Sequence, residues 1–525
     1  MERGSIAYTL RRFSNMRYRL VLEGIGVGAA AGLVTVLFRA VLSKGEAVLH
    51  AALAFGTAHP YCIPLWFVIL LGAAGLVTCL LKWEPLISGS GIPQVEGEMQ
   101  GRIRTVWWRV LLAKFLGGLL TIGAGLALGR EGPSIQLGAM AGKGVSRLTK
   151  RVRTEEKLLM TCGASAGLAA AFNAPLAGVL FSLEEVHKNF SLDVLLPAMA
   201  ASVTADVISR NIFGLGAVFD FSGMAMMPLK HYWLVLVLGL VLGLFGALYN
   251  LCVGKAQDLY DKIKIPYVKT AVPFMLAGIL GFVWPAVLGG GHGLIAELTG
   301  QTPLQMLLLL LAVRFVYSLL SFGAGVPGGI FLPLLVLGAA AGSLVGAAAT
   351  AVGLDVQMES FVILGMAGYF AAVVRAPVTG ILLICEMTGS LSHMLSLALV
   401  SLIAYATADL LRAKPIYDQL LHRMLRGRAP EGERAADGDK VLIRAPMHLG
   451  APACGKRIGD VAWPAGCLIV SIRRGETELV PKGDTRLRAG DDITVLCDEY
   501  DSEAVYRSLE EQCQSTVIPH YTHSL

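Results

Sequence analysis

The chain has 525 residues, 55% of them hydrophobic and only 16% charged, with a formal net charge of +6 and a mean hydropathy of +0.63. Soluble domains carry roughly 25% charged residues, so this composition excludes a water-soluble ball and puts most of the chain in a bilayer. The basic residues cluster in loops beside apolar runs, the habit of membrane proteins, and do not indicate a nucleic-acid partner.

Residues 1–20, MERGSIAYTLRRFSNMRYRL, hold Arg3, Arg11, Arg12, Arg17 and Arg19. Cationic flanks favour the cytoplasm, and no small-residue cleavage site follows the next apolar run, so a retained cytoplasmic N-terminal segment is expected rather than a removed signal peptide. Apolar runs then occupy 20–42, 64–81, 106–128, 158–183, 195–212, 233–253, 271–289, 304–320, 330–352, 361–385 and 395–411. Each is near the ~20 residues that cross hydrocarbon, which predicts about ten or more passes.

Three Gly/Pro clusters interrupt these runs: Gly89-Ser90-Gly91-Ile92-Pro93, Gly129-Arg130-Glu131-Gly132-Pro133 and Gly328-Gly329-Ile330-Phe331-Leu332-Pro333. Pro just inside a helix with Gly just before it marks a chain entering a helix from a loop. Non-helical backbone at bilayer depth is tolerated only where protein buries it or it lines a cavity, so the three breaks are expected to face one polar site. Helix starts offer unpaired N–H groups and roughly half a positive charge, enough to hold an anion without trapping it. Ser90 adds a hydroxyl, and Ile330 and Phe331 add backbone amides. The plain alternative is that the glycines only permit close helix packing.

Glu131 lies at such a start, where a carboxylate costs at least about 2.5 kcal/mol by insertion scales. Within about 4 Å of a halide it would be repelled by on the order of 4 kcal/mol at an effective dielectric of 20. The two charges therefore take turns: a protonated Glu131 admits the anion, and a departing anion readmits the carboxylate. An ordinary Arg130–Glu131 ion pair is the alternative, although neighbours on a helix do not face each other.

A search for repeats aligns 123–142 with 323–342, placing Gly129 over Gly329 and Pro133 over Pro333, Lys114 over Arg314, and the loop 88–93 over 288–293. Shifted by two, 163–185 aligns with 365–387, matching Pro175 to Pro377 and Glu184 to Glu386, while Glu185 meets Met387. Two related halves are the mark of transporter architecture, with the site where broken segments meet; the alignment alone leaves a parallel or an inverted arrangement open. Lys114 and Arg314 read as buried structural charges with an electrostatic influence on the anion path, the Glu184/Glu386 pair as shared structure, and Glu185 as tied to one task or as part of a solvated collar.

The nine cysteines include no CxxC pair and no histidine positioned to complete a metal set. Neither a metal nor a cofactor is expected. Hydrolase elbows and phosphate-binding loops are missing from the sequence as well, so no enzyme is indicated.

Residues 426–440 read as a charged linker. A small α+β domain over 441–525 follows, with strands at VLIRAPM, CLIVSIRRG, ELVPKGD and DDITVLCD and a closing amphipathic helix at DSEAVYRSLEEQC. Arg473 and Arg474 could meet a phosphate there, or simply be solvated.

The motifs GSGIP at 89–93, GREGP at 129–133, GGIFLP at 328–333, AAAFNAPLAGVLFSLEE at 169–185 and KPIY at 414–417 resemble, in that order, the CLC family of chloride channels and chloride/proton exchangers, its bacterial exchangers above all. The resemblance runs from about residue 15 to 425. It implies an all-α polytopic membrane protein of two inverted repeats of tilted, broken helices, with repeats near 21–215 and 230–420 in a domain spanning 21–425. It also implies a homodimer with one pore per subunit in a bacterial inner membrane, both termini cytoplasmic. Carried over by position, Ser90 and Tyr417 would be hydroxyls around a central chloride and Ile330 and Phe331 would supply amides. Gly89, Gly91, Pro93, Gly129, Gly132 and Pro133 would shape the loops, with Lys114 and Arg130 as nearby charges. Glu131 would be the gating and proton-transfer glutamate and Glu185 the internal proton acceptor, which favours exchange over a passive channel. The stretch 455–496 resembles the TrkA-C, or RCK-C, domain, which implies a small regulatory ligand such as a nucleotide or cyclic dinucleotide. A ligand-sensing receptor with a vestigial membrane anchor is the reading from another class.

Overall fold

The computed structural model describes residues 6–151, 153–188, 191–219, 221, 227–298, 302–426, 440–464, 466–475, 477–498 and 502–514. It divides into two units, Met1–Leu425 and Arg426–Leu525.

In the first unit two sets of eight helices follow one another. The first set is α1 (Ile6–Ala58), α2 (Ile63–Trp83), α3 (Ile92–Met99), α4 (Trp107–Gly123), α5 (Glu131–Leu148), α6 (Arg153–Phe172), α7 (Pro175–Phe181) and α8 (Leu192–Phe213). The second is α9 (Tyr232–Asp261), α10 (Pro266–Val283), α11 (His292–Glu297), α12 (Leu304–Gly323), α13 (Phe331–Ala351), α14 (Met358–Val374), α15 (Pro377–Thr388) and α16 (Met394–Leu410), after which α17 (Ile416–Arg426) closes the unit. Six described helices are long and apolar enough to cross a membrane, and their outward faces leave large apolar side chains exposed, as lipid contact requires.

Two expectations about the spans change. Runs 158–183 and 361–385 are not single passes: each breaks at a residue with left-handed φ, Asn173 (+53°) and Arg375 (+75°). An Ala-Pro step then starts a new short helix, α7 or α15, because proline cannot continue the preceding hydrogen-bond ladder. Residues 6–20, expected as a segment apart, belong to the long helix α1.

The repeats are related by a two-fold axis. Gly129 N donates to Gly329 O at 2.6 Å and Gly329 N to Gly129 O at 2.8 Å, an antiparallel bridge between equivalent residues. Gly89 N donates to Gly325 O (3.3 Å) as Gly289 N does to Gly125 O (2.8 Å). Reciprocal bonds of this kind join equivalent residues across a local two-fold, as the opposed copies of an inverted repeat do. Buried cations follow the same symmetry: Lys114 Nζ donates to the carbonyls of Ile87 (2.9 Å) and Gly89 (2.6 Å). Arg314 donates to Val287 O (2.5 Å) and Gly289 O (2.9 Å). A buried charge is stable only when paired or hydrogen-bonded, and here loop carbonyls provide that. The carboxylates are exchanged between repeats. Glu386 accepts from the amides of Leu176 (3.1 Å) and Ala177 (2.8 Å) at the start of α7, and Glu184 accepts from the Thr379 amide (3.1 Å) and hydroxyl (2.7 Å) at the start of α15. Each neutralises the partial positive charge of the other repeat's helix.

The second unit is a four-stranded antiparallel sheet, β1 (Lys440–Pro446), β2 (Cys467–Arg474), β3 (Thr477–Leu479) and β4 (Asp491–Asp498), in the order β1-β4-β2-β3. Ala445, Ile472, Ile493 and Val495 from the sheet join Val505, Leu509 and Cys513 of α18 (Ser502–Cys513) in one core. β3 stops at Leu479, short of the expected ELVPKGD strand, where Pro481 could not donate to a ladder. Arg474 pairs with both oxygens of the buried Asp491 at 2.7 and 2.8 Å and donates to Arg486 O (2.9 Å). Its guanidinium is thus committed to the fold rather than held out for a phosphate.

Candidate functional site

All three sequence breaks become helix starts. Gly91, at φ +93°, precedes α3; Arg130 precedes α5, whose first residue is Glu131; Ile330 precedes α13, whose first residue is Phe331. Gly91 must be glycine twice over, for its left-handed backbone and because a Cβ there would run into the Gln136 side chain. Gly132 touches both other breaks: a Cβ on it would meet Ser90 O at 2.8 Å, Ser90 Cβ at 3.0 Å and Gly329 Cα at 3.2 Å. The loops therefore converge, and Gly89, Gly129 and Gly329 join them through the backbone bonds described above.

The Glu131 side chain is wholly buried. One oxygen is folded over Gly129 and the carboxylate turns toward the amides of Glu131 itself and of Leu332, at the starts of α5 and α13. Neither oxygen meets these amides in full hydrogen-bond geometry. The closest charge, Arg130 Nε, is 4.0 Å away, at the outer limit of an ion pair, and is itself without a hydrogen-bond partner. A buried polar group left this way costs about 1–3 kcal/mol or more, which fixed structure rarely tolerates without a reason. On this side a cavity of about 500 Å³, bordered by Arg39, Glu46, His50, Gly129, Arg130 and Leu332, reaches the site.

Tyr417, second residue of α17, is buried with its hydroxyl unpartnered. It lies within electrostatic reach of both Glu185 and Glu131. Ser90 Oγ accepts from Ile92 N at 3.3 Å, which leaves its proton for another acceptor. Ile330 and Phe331 are buried, and Phe331 packs on Phe172, Phe181 and Phe370 with ring centroids 4.6–5.8 Å apart. Phe181 in turn meets the Tyr417 ring edge-on at 6.2 Å. The Ser90 hydroxyl proton and the unpartnered Tyr417 hydroxyl are donors left unused by the fold, the kind of group an anion takes together with helix-start amides. Pro93 and Pro133 sit inside the first turns of α3 and α5, where a missing N–H breaks no bond.

Glu185 lies in a single π-helical turn, Ser182–His187, that ends α7; such turns recur at functional sites. It is buried and faces Lys188, Glu184, Glu96 and Asp418. Glu96, Lys188 and Asp418 stand in none of the motifs singled out from the sequence. The stretch IPQVEGEM carried the available signal, two carboxylates in a helix that is otherwise uncharged. Glu98 is explained separately by its buried ion pair with Lys143, reinforced by Thr105, whose carbonyl and hydroxyl lie 2.8 and 3.1 Å from the ammonium. Among the described residues there is no cluster of His, Cys, Asp and Glu suited to a metal.

Two inverted repeats whose helix starts converge on a buried carboxylate define a membrane protein of secondary-transporter architecture. Residues 71–409 match the family described as voltage gated chloride channel, and residues 438–510 match the TrkA-C domain. The chain is 40% identical over 383 residues to the H(+)/Cl(-) exchange transporter ClcA of Vibrio campbellii, covering 69% of this chain and 81% of that one. It is 36% identical over 450 residues to ClcA of Klebsiella pneumoniae, covering 83% and 95%. The crystal structure of a slow cyanobacterial Cl-/H+ antiporter superposes with a TM-score of 0.74 at 32% identity, over 78% of this chain and 99% of that one. The chain belongs to the voltage gated chloride channel family and carries a TrkA-C domain after its membrane unit.

Proposed function

We propose that the protein exchanges chloride for protons across the membrane, with Glu131 as the group that both ions engage and Glu185 as the proton acceptor beyond Tyr417. One observation carries the reading: a wholly buried carboxylate at two helix starts, turned toward their amides, with no cation closer than Arg130 at 4.0 Å. A halide and an ionised carboxylate about 4 Å apart repel by on the order of 4 kcal/mol at an effective dielectric of 20, so they hold that place in turn. The relatives named as H(+)/Cl(-) exchange transporters support it. Chloride is the substrate, held by the Ser90 and Tyr417 hydroxyls and the Ile330 and Phe331 amides, with Lys114 and Arg130 contributing field rather than contact.

The membrane is a bacterial inner membrane, with both termini in the cytoplasm. The cavity beside Arg130 then opens outward and Glu185 faces inward. Two subunits form a homodimer with a pathway in each, and the TrkA-C domain takes a small regulatory ligand, a nucleotide or cyclic dinucleotide.

Purified protein in liposomes tests the exchange. An outward chloride gradient should draw protons inward against their own gradient, and the reversal potential should move with the pH gradient. A reversal potential that follows chloride alone would make the protein a passive channel and overturn the proposal.

A further inference from the structure

Lys188 sits at the junction of the three elements that carry Ser90, Tyr417 and Glu185. Its ammonium is 2.6 Å from Glu96 Oε1 and 2.6 Å from Asp418 Oδ1. Glu96 belongs to α3, which begins two residues after Ser90; Asp418 follows Tyr417 in α17; and Lys188 itself stands three residues after Glu185, directly behind the π-helical turn. Its backbone is left-handed, with φ +52°, a conformation unfavourable for a lysine by roughly 1–2 kcal/mol.

The two carboxylates differ in surroundings. Glu96 is 1% exposed, and the same oxygen that meets Lys188 accepts from Gln100 Nε2 at 3.0 Å. Asp418 and Lys188 are nearly two-fifths exposed. An ion pair between exposed groups alone contributes little, whereas removing the partner of a buried carboxylate leaves that charge uncompensated. The bridge is therefore anchored at Glu96 and reversible at Asp418. The groups facing it are Glu96 from α3, Asp418 from α17 and Glu185 from the turn.

We propose that Lys188 is a positioning residue, whose ammonium latches the Ser90, Tyr417 and Glu185 elements together and must release Asp418 before the ends of α3 and α17 that carry Ser90 and Tyr417 can part. This rests on the exchange reading above. The latch ties widening of the chloride path to the neighbourhood of the proton acceptor, so that chloride does not leak past while Glu185 is unoccupied.

The test compares wild type, Lys188→Met, Lys188→Arg, Asp418→Asn and the Lys188→Met/Asp418→Asn pair in liposomes, reading chloride moved per proton from the reversal potential and chloride KM from flux. We expect Lys188→Met to raise chloride moved per proton several-fold, Lys188→Arg to bring it back toward wild type, and the double variant to be no worse than the single, as members of one latch couple. Asp418→Asn, at an exposed position, should give the same change and serves if Lys188→Met does not fold. An unchanged ratio in Lys188→Met or, failing that, in Asp418→Asn would overturn the latch. A lower flux with a raised chloride KM and an intact ratio would make Lys188 a collector of anions and overturn it too. Wild type that pumps no protons would instead refute the exchange reading, a result distinct from either.

Discussion

Gly132 is packed against Ser90 so closely that a single methyl group on it would come within 2.8 Å of the Ser90 carbonyl oxygen and 3.0 Å of its Cβ. The obstacle is backbone and a short side chain, neither of which can swing aside. Gly132→Ala should force Ser90 away from α5, at the 1–3 kcal/mol typical of an overpacked core. We expect weaker chloride binding by titration calorimetry and a lower melting temperature. An alanine variant with wild-type affinity would mean that Ser90 does not share the anion site with the start of α5.

Glu131→Gln removes the charge and keeps the shape. With no carboxylate to compete, chloride should bind more tightly at neutral pH and its affinity should no longer depend on pH. Proton pumping driven by a chloride gradient should fall to the level of empty liposomes, because an amide cannot take up and release the proton. Continued pumping would remove Glu131 from its proposed role.

Glu185→Gln should separate the two ions. Glu185 lies apart from the helix starts that Glu131 occupies, and its electrostatic neighbours are Lys188, Glu184, Glu96 and Asp418. Chloride should still move, while the reversal potential loses its dependence on the pH gradient. Intact coupling in this variant would show that protons reach Glu131 by another path.

Much of this was legible in the sequence because glycine and proline report backbone demands directly. Gly129 over Gly329 in the alignment becomes a reciprocal bridge, and Pro133 over Pro333 becomes two equivalent helix starts. The pairing of Glu184 with Glu386 was visible as well. That each caps the other repeat's helix was not, since an alignment shows which positions correspond and not which way the copies face. Runs 158–183 and 361–385 read as single spans because hydropathy does not register the left-handed turns at Asn173 and Arg375. Lys188 escaped notice for a different reason: its partners lie at residues 96 and 418, and a charge at the end of an apolar run looks the same whether it meets water or a buried carboxylate.

The Arg474–Asp491 pair yields a prediction for the TrkA-C unit. Burial pushes the Asp491 carboxyl up, but the bidentate Arg474 contact and the Arg488 amide at 2.8 Å outweigh it and hold the carboxyl below the usual aspartate range. A carboxyl depressed in the folded state contributes stability above its unfolded value of about 3.9 and loses it as the pH falls through the lower folded value. The unit should thus be insensitive to this pair from pH 7 down to about 5, then weaken below the ordinary aspartate range. Asp491→Asn should cost about 1.5–3 kcal/mol at neutral pH, the range for hydrogen bonds to charged groups, and should remove that part of the acid sensitivity. Amide exchange of residues 440–513 in the full chain, followed from pH 7 to 3, reads both effects. Equal protection in the variant and wild type at pH 7 would show that the pair does not support the sheet.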